Sequence, residues 1–422
     1  MVERRHFLKH LAAISATSLF SVQLPRICAW AQAEESRPHF FMFVFARGGW
    51  DTTMVFEPKV GLESVDVDPG GDVAEVHGIQ FLDNPNRPMV RTFFEDFGDR
   101  ACVLNGVNTG TNSHSNGTEI MMTGSAGMND PDWPTIMISQ ANPDDYLLPY
   151  MALSGPSFSG ALGTGTASGS GFLDLLVGGG VSNPPSATRE ASMDAFISRK
   201  FEEQMNRLRS QGREGSRFYE MEDSLSRWKE LKDVKTELGE EFTNLNGLAN
   251  EGKALATAFE RGYALTGSLR ARGSWDSHNN NFNAQSPAFE NTFADLHAII
   301  ESLANKNATS GPGTLLDQTT VMVMSEFART PKLNGSNGKD HWADTSVMAI
   351  GAGVSGGRVL GGTDDYQSSL PVDYTTGLVD SGPSGQEITP INIGAALLEM
   401  AGIDPTEFLL SDVEPFNAFR ET

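Results

Sequence analysis

The chain has 422 residues, and its 54 Asp and Glu against 31 Lys and Arg give a formal net charge of −23 at pH 7. So acidic a surface repels nucleic acids and anionic membranes, and we exclude both as partners. The length suits one large α/β domain or two smaller ones. Beyond the first residues, no segment approaches the roughly 20 apolar residues of a membrane span.

Residues 1–33 have the pattern of an export signal. Residues 3–9 contain paired arginines followed by Phe-Leu-Lys, which matches the twin-arginine motif, and Ala31-Gln32-Ala33 is a small-residue cleavage site. We predict export by the twin-arginine machinery to the periplasm or the exterior, with a mature domain over residues 34–422. An ordinary amphipathic cytoplasmic terminus is the alternative.

The cysteines agree with a domain that has no disulfide. Cys28 would leave with the signal, so Cys102 has no partner within the mature chain. It lies in the apolar run 101–104, and we predict a buried, unreactive thiol.

The first predicted strand is the apolar run 40–45. It ends in Arg47-Gly48-Gly49-Trp50-Asp51, where two glycines allow a tight turn and Asp51 lies beyond the strand end. Residues 101–104 predict a second short strand.

A helix is predicted to begin near His114. Ser113, Ser115 or Asn116 can cap its start and Gly124 can close it. The positive end of the helix dipole should disfavour the imidazolium form of His114. A capping-loop histidine without chemistry is the alternative.

The middle of the chain differs in composition. Residues 155–183 are rich in Gly and Ser and predict a long loop that could serve as a lid. Residues 192–271 are highly charged and predict a helical insertion without a strong core of its own. Next comes Gly273-Ser274-Trp275-Asp276-Ser277-His278. In an extended segment Asp276 and His278 point the same way, so both could bind one metal ion.

Two helices and two strands follow. Residues 287–305 predict a helix capped by Ser286, with Pro287 at its first position and His297 on its polar face, outside any site. The apolar runs 321–324 and 347–350 predict strands, and residues 389–402 predict a final helix.

Charged side chains accumulate between the predicted strands 321–324 and 347–350 and at the ends of other predicted strands. In open α/β sheets, ligands bind beyond the carboxyl ends of the strands. The candidate metal ligands are His114, His278, His341, Asp51, Asp276, Glu326 and Asp340. Imidazoles with carboxylates suit Zn, Mn or Fe, as one or two divalent ions. The alternative is a solvated surface cluster with merely packed histidines.

These motifs resemble a known family. Arg-Gly-Gly-Trp-Asp at 47–51, Gly-x-Trp-Asp-x-His at 273–278, Ser-Glu-Phe-x-Arg-Thr-Pro at 325–331 and Asp-His-Trp at 340–342 resemble the domain-of-unknown-function family numbered fifteen hundred and one. The resemblance covers essentially the whole mature chain, with Ala328 where the family usually has glycine.

That family is similar in fold to alkaline phosphatases and sulfatases. The resemblance implies an α/β fold: a doubly wound, mostly parallel sheet with helices on both faces and a helical insertion. It also implies metal-ligand roles for Asp51, Asp276, His278, Glu326 and His341. His114 stands where those enzymes place a Ser, Thr or Cys nucleophile. His114 is therefore a ligand or the nucleophile, or the usual covalent chemistry is absent.

The first functional hypothesis is an exported metal-dependent hydrolase of phosphate or sulfate esters, with an anionic small molecule as substrate. His114 would act in catalysis, and Arg329 or Lys339 could neutralise the non-bridging oxygens. The second is a non-catalytic periplasmic protein that binds a metal or an anion.

Overall fold

The computed structural model contains a central sheet whose strands come from the whole chain. Twelve strands are present in the described residues: β1 (Phe40–Phe45), β2 (Asp72–Val76), β3 (Ile79–Asp83), β4 (Ala101–Asn108), β5 (Tyr150–Ala152), β6 (Ala167–Ser168), β7 (Thr266–Arg270), β8 (Thr319–Met324), β9 (Ala328–Arg329), β10 (His341–Trp342), β11 (Asp344–Gly351) and β12 (Arg358–Gly361). The eight-stranded sheet has the order β12-β4-β11-β8-β1-β7-β5-β6, while β2-β3 and β9-β10 are separate pairs. Only β11 runs antiparallel to its neighbours in the large sheet, so the predicted mostly parallel sheet is confirmed.

The structure describes residues 38–127, 129–142, 145–162, 167–168, 186–213, 245–409 and 413–421, with isolated positions between 215 and 242. The predicted signal, residues 1–33, and most of the Gly/Ser-rich loop 155–183 lie outside the described residues. Among the described helices, none is both long and apolar enough to cross a membrane.

Helices cover both faces of the sheet. The helices in the described residues are α1 (Pro88–Phe97), α2 (His114–Thr123), α3 (Trp133–Gln140), α4 (Ala187–Ser210), α5 (Leu248–Glu260), α6 (Asn281–Asn305) and α7 (Pro390–Met400), and those other than α4 pack in the two cores of the sheet. Alternate residues of β1 divide between two cores. Met42 and Val44 pack with α1, α5 and α6, whereas Phe43 and Phe45 pack with α2, α3 and α7. The α/β class with a doubly wound sheet is thus confirmed.

The predicted helical insertion 192–271 is wrong at its C-terminal end. Residues Thr266–Arg270 form β7, which pairs in parallel with β1 in the middle of the sheet. Leu255 of α5 and Ile299 of α6 belong to the same core cluster. The error arose because β7, Thr-Gly-Ser-Leu-Arg, carries hydroxyls and a glycine rather than an apolar run.

Other boundaries differ less. Helix α6 begins at Asn281, so Pro287 lies inside the helix instead of at its first position, and Ser286 does not cap it. Strand β4 extends to Asn108. Cys102 on this strand is fully buried, and burial raises the pKa of its thiol to about 12, as expected of an unreactive cysteine.

Candidate metal centre

Three imidazoles converge on one carboxylate at the carboxyl edge of the sheet. His114 is the first residue of α2, His341 lies in β10, and His278 and Asp276 follow β7. The Nε2 atoms of His278 and His341 lie 3.1 and 3.4 Å from Oδ1 of Asp276, and Nε2 of His114 lies 3.4 Å from its Oδ2. The structure therefore brings together residues separated by more than 200 positions.

The other ring nitrogen of each histidine has a hydrogen-bond acceptor. Nδ1 of His114 lies 2.7 Å from Oε1 of Glu326, and Nδ1 of His278 lies 2.7 Å from Oδ1 of Asp340. Nδ1 of His341 lies 2.7 Å from the backbone oxygen of Asn112. A carbonyl or an ionised carboxylate only accepts, so each Nδ1 carries the proton.

A cation fits the space between these side chains. In the neutral rings, the lone pairs of all three Nε2 atoms face the Asp276 carboxylate, and the Nε2 atoms of His278 and His341 are only 3.0 Å apart. Such groups repel one another unless a positive charge lies between them. Candidate ligand atoms of His114, Asp276 and His341 all lie within 4.8 Å of one another. Imidazole ligands with their second nitrogen bonded to a carboxylate or carbonyl are typical of metal sites.

Asp276 is held ionised. Partial burial opposes ionisation, but the hydrogen bond and the charge of Arg329 outweigh it and lower the pKa of Asp276 to about 2. Nη2 of Arg329 lies 2.7 Å from Oδ1 of Asp276. The Asp276 side chain is 51% exposed, so a ligand from solvent can reach the cluster.

Arg329 and Lys339 are not available to a substrate, contrary to the role expected from the sequence. Both side chains are fully buried. Arg329 donates to the backbone oxygens of Gly48, Gly49 and Lys339 as well as to Asp276. All of its donors point into the protein, so the guanidinium holds the strand-end loops together.

Asp51 is engaged by protein groups other than the three histidines. Its Oδ2 lies 2.8 Å from Nζ of Lys339 and accepts from Nδ2 of Asn281 at 2.7 Å. Its Oδ1 accepts from the backbone nitrogen and the hydroxyl of Thr53. Both carboxylate oxygens are therefore used, which does not favour the ligand role implied by the family resemblance.

Glu326 is buried behind His114. Its Oε1 accepts from His114 and, at 2.8 Å, from the backbone nitrogen of Gly48, while Oε2 accepts from Ser325. A Cβ on Gly117 of α2 would lie 2.7 Å from the backbone oxygen of Glu326, so glycine allows the helix to approach this closely. The position suits a residue that orients His114. Asp340, which is 58% exposed, likewise accepts a hydrogen bond from Nδ1 of His278 and so orients that ring.

One expectation about the start of α2 is wrong, and another is met in position only. The hydrogen bond that His114 donates to Glu326 raises the pKa of His114, although the helix dipole is expected to disfavour the imidazolium. Ser113 occupies the N-cap position but makes no side-chain capping hydrogen bond. In His341, burial lowers the pKa of the imidazole.

Some functional groups could not be singled out from the sequence. Asn281 and Gln285 lie one turn apart on α6 and contact Asp51 through Nδ2 and Oε1. Asn112 contributes only its backbone oxygen, which no side-chain motif reveals. The spacing of Asn281 and Gln285 was the one available signal, since residues four apart share a helix face.

The chain belongs to the family described as "Protein of unknown function (DUF1501)", whose sequence profile matches residues 41–376. No curated protein shows significant sequence similarity to the chain.

Several solved structures are similar to it at low identity. The C-terminal periplasmic domain of EcEptC from Escherichia coli, in a complex with Zn, is 8% identical over 92% of this chain and 88% of that chain, with a TM-score of 0.43. The lipoteichoic acid synthase LtaP from Listeria monocytogenes is 9% identical over 90% of this chain and 75% of that chain, with a TM-score of 0.42. A protein in the alkaline phosphatase superfamily from Vibrio parahaemolyticus is 10% identical over 88% of this chain and 68% of that chain, with a TM-score of 0.39.

Proposed function

We propose that this protein holds one divalent metal ion through His114, Asp276, His278 and His341 and hydrolyses phosphate or sulfate esters there. The observation that supports this most strongly is the common orientation of the three imidazoles. Each Nδ1 is bonded to an acceptor at 2.7 Å, so each Nε2 is left as a ligand directed at Asp276. The three imidazole nitrogens and the Asp276 carboxylate together suit Zn, Mn or Fe.

A bound ion would supply Lewis-acid chemistry at an ester oxygen. The residues of the chain hold and tune it. Asp276 stays ionised at neutral pH because its pKa is about 2. Glu326 and Asp340 fix the ring orientation of His114 and His278. Arg329 fixes the Asp276 carboxylate from the buried side.

The family resemblance leads one to expect a Ser, Thr or Cys nucleophile at position 114, where this chain has a histidine. His114 stands there and is bonded through Nδ1 to Glu326, so it is committed to the centre. In this proposal water, rather than a serine or threonine hydroxyl, attacks the ester. The same observation favours a second candidate, a protein that binds metal and an anion without turnover.

We also propose export by the twin-arginine route, which rests on Arg4 and Arg5 in the leader. The mature protein would then act in the periplasm or outside the cell. An ion acquired during folding in the cytoplasm would be carried across with it.

The experiment is metal analysis of the purified protein, together with hydrolysis of aryl phosphate and aryl sulfate esters by the metal-loaded form. We expect about one ion per chain and loss of that ion in the variant His278→Ala/His341→Ala. Asp96→Ala/His297→Ala is the matched control, because it removes another His–Asp pair, between His297 of α6 and Asp96 of α1, in which neither residue is a proposed ligand. Unchanged metal content in the first variant would contradict the centre. Full metal content without hydrolysis would favour the binding protein.

A further inference from the structure

Two arginines at the carboxyl edge of the sheet have guanidinium groups without a bonding partner among the residues that the structure describes. Arg47 follows β1 and Arg270 ends β7, and both side chains are exposed. Neither guanidinium is bonded to a described residue, whereas the neighbouring Arg329 and Arg272 contact Asp276 and Glu251. In a chain with 54 acidic and 31 basic residues, unpaired cations at a site edge are informative.

The strand register places Arg270 at the edge of the sheet where the turn that contains Arg47 begins. Phe45 of β1 is aligned with Arg270 of β7 in the parallel pair. Side chains on one face alternate along a strand and adjacent strands lie about 4.8 Å apart. Leu269 belongs to the core with Val44, so Arg270 lies on the opposite face, with Phe45. Arg47 lies two residues beyond Phe45, in the turn that follows β1.

That face carries helix α2, which begins with His114. Met121 and Met122 of α2 pack in the same core cluster as Phe43 and Phe45. Both arginines therefore lie at the carboxyl edge of the sheet, and Arg270 lies on the face that carries α2. Each guanidinium carries donors in a fork that matches two oxygens of a phosphate or sulfate group.

The turn after Arg47 brings it next to the proposed ligands. The backbone nitrogen of Gly48 donates to Glu326, and a Cβ on Gly48 would lie 2.6 Å from the backbone nitrogen of Asp276. Gly48 has a φ of +135°. Consecutive Cα atoms are about 3.8 Å apart, so Arg47 is one residue from backbone that touches both Glu326 and Asp276. An arginine side chain extends far enough from there to reach an anion over the centre.

We propose that Arg47, supported by Arg270, binds the tetrahedral oxyanion of the substrate beside the metal centre. This inference rests on the proposed function and narrows its substrate to esters with a free, negatively charged phosphate or sulfate group. The buried Arg329 and Lys339 then set the architecture, while Arg47 is the cation that touches substrate.

The test is titration calorimetry of the metal-loaded protein with inorganic phosphate and, separately, with sulfate. The variants are Arg47→Gln, Arg47→Lys, Arg270→Gln and the control Arg207→Gln, which removes an exposed arginine from α4. We expect Arg47→Gln to weaken binding of the preferred anion at least tenfold and Arg270→Gln to weaken it severalfold. Arg47→Lys should fall between wild type and Arg47→Gln, because the charge remains and the fork is lost.

Metal content and hydrolysis are measured on the same samples. A failure of the hydrolase proposal can then be distinguished from a failure of the Arg47 proposal. Anion binding that depends on Arg47, in a protein that binds metal without hydrolysing esters, would support the arginine site and refute the hydrolase. Hydrolysis with equal anion affinity and equal KM in wild type and Arg47→Gln would refute the arginine site alone. Equal losses in Arg47→Gln and Arg207→Gln would also refute it, because any exposed charge would then suffice.

Discussion

Lys339 and Asp51 form an ion pair in the interior of the protein, with Nζ 2.8 Å from Oδ2 and neither side chain exposed. Nζ of Lys339 also lies 3.4 Å from the hydroxyl of Thr53 and 5.6 Å from the ring centre of Phe282. The Lys339 side chain thus compensates the buried carboxylate of Asp51. This arrangement supports a centre with one ion rather than two.

Lys339→Met should destabilise the fold strongly. Removal of one partner leaves the Asp51 carboxylate buried without compensation, and we expect a loss of about 3–5 kcal/mol in the free energy of unfolding. Urea denaturation measures it. Lys332→Met is the control, because Lys332 is 52% exposed in its pair with Asp66 and should lose less than about 1 kcal/mol. Equal losses in the two variants would contradict the buried pair.

The sequence predicted the position of the site better than the roles of its residues. The apolar runs of β1 and β8 mark buried strands whose ends meet at one edge of the sheet, so Asp51 and Glu326 could be expected near one another. The pairing of Lys339 with Asp51, 288 positions apart, depends on how two loops approach, which no local pattern encodes.

Strand β7 is also hard to recognise from its local sequence. Its Ser268 hydroxyl is buried because Tyr150, far along the chain, hydrogen-bonds to it at 3.1 Å. A polar residue with a distant partner has the same local sequence as one exposed to solvent. The local sequence of β7 therefore does not distinguish a buried strand from an exposed segment.

Substitutions of Glu326 and Asp340, which accept hydrogen bonds from His114 and His278, should weaken metal binding, and the Glu326 substitution should weaken it more. Glu326→Gln retains the shape and an acceptor oxygen but loses the charge that polarises His114, and we expect metal affinity to fall about 10–100-fold. Asp340→Asn should have a smaller effect, since Asp340 is 58% exposed whereas Glu326 is buried. Competition with a chelating dye measures both affinities. A larger loss in Asp340→Asn would contradict the assigned roles.

His39 should make the fold sensitive to mild acid. Burial lowers the pKa of this imidazole from 6.5 to about 4, and its ring stacks on Phe41 at 4.4 Å. A lowered folded pKa means that the stabilisation is present above pH 6.5 and is lost as the pH falls toward 4. Between pH 7 and 4.5 the wild type should lose about 2 kcal/mol more than His39→Gln.

Urea denaturation at several pH values gives that difference. His77→Gln, which changes an exposed histidine, serves as the control and should follow the wild type. Parallel pH curves for the wild type and His39→Gln would show that His39 does not titrate as argued.

Export should depend on the paired arginines of the leader. The double variant Arg4→Lys/Arg5→Lys should leave the precursor in the cytoplasm, because the export machinery reads the arginine pair and not simply the charge. Arg26→Lys, a conservative change in the same leader outside the motif, should be exported normally. Cell fractionation with an antibody to the mature domain measures both, and continued export of the double variant would refute the signal assignment.

The serines that flank His114 should prove dispensable for hydrolysis. Ser113 and Ser115 are exposed, and Ser113 makes no capping bond, so alanine at either position should change the free energy of unfolding by less than about 0.5 kcal/mol. His114→Ala should remove a ligand and with it both metal and activity.

The decisive comparison is the ratio of kcat to metal content for aryl ester hydrolysis. If Ser113→Ala or Ser115→Ala keeps its ion and its stability but loses kcat, that serine is the nucleophile and attack by water is wrong. If both serine variants keep kcat and His114→Ala loses metal and activity together, His114 serves the centre as a ligand.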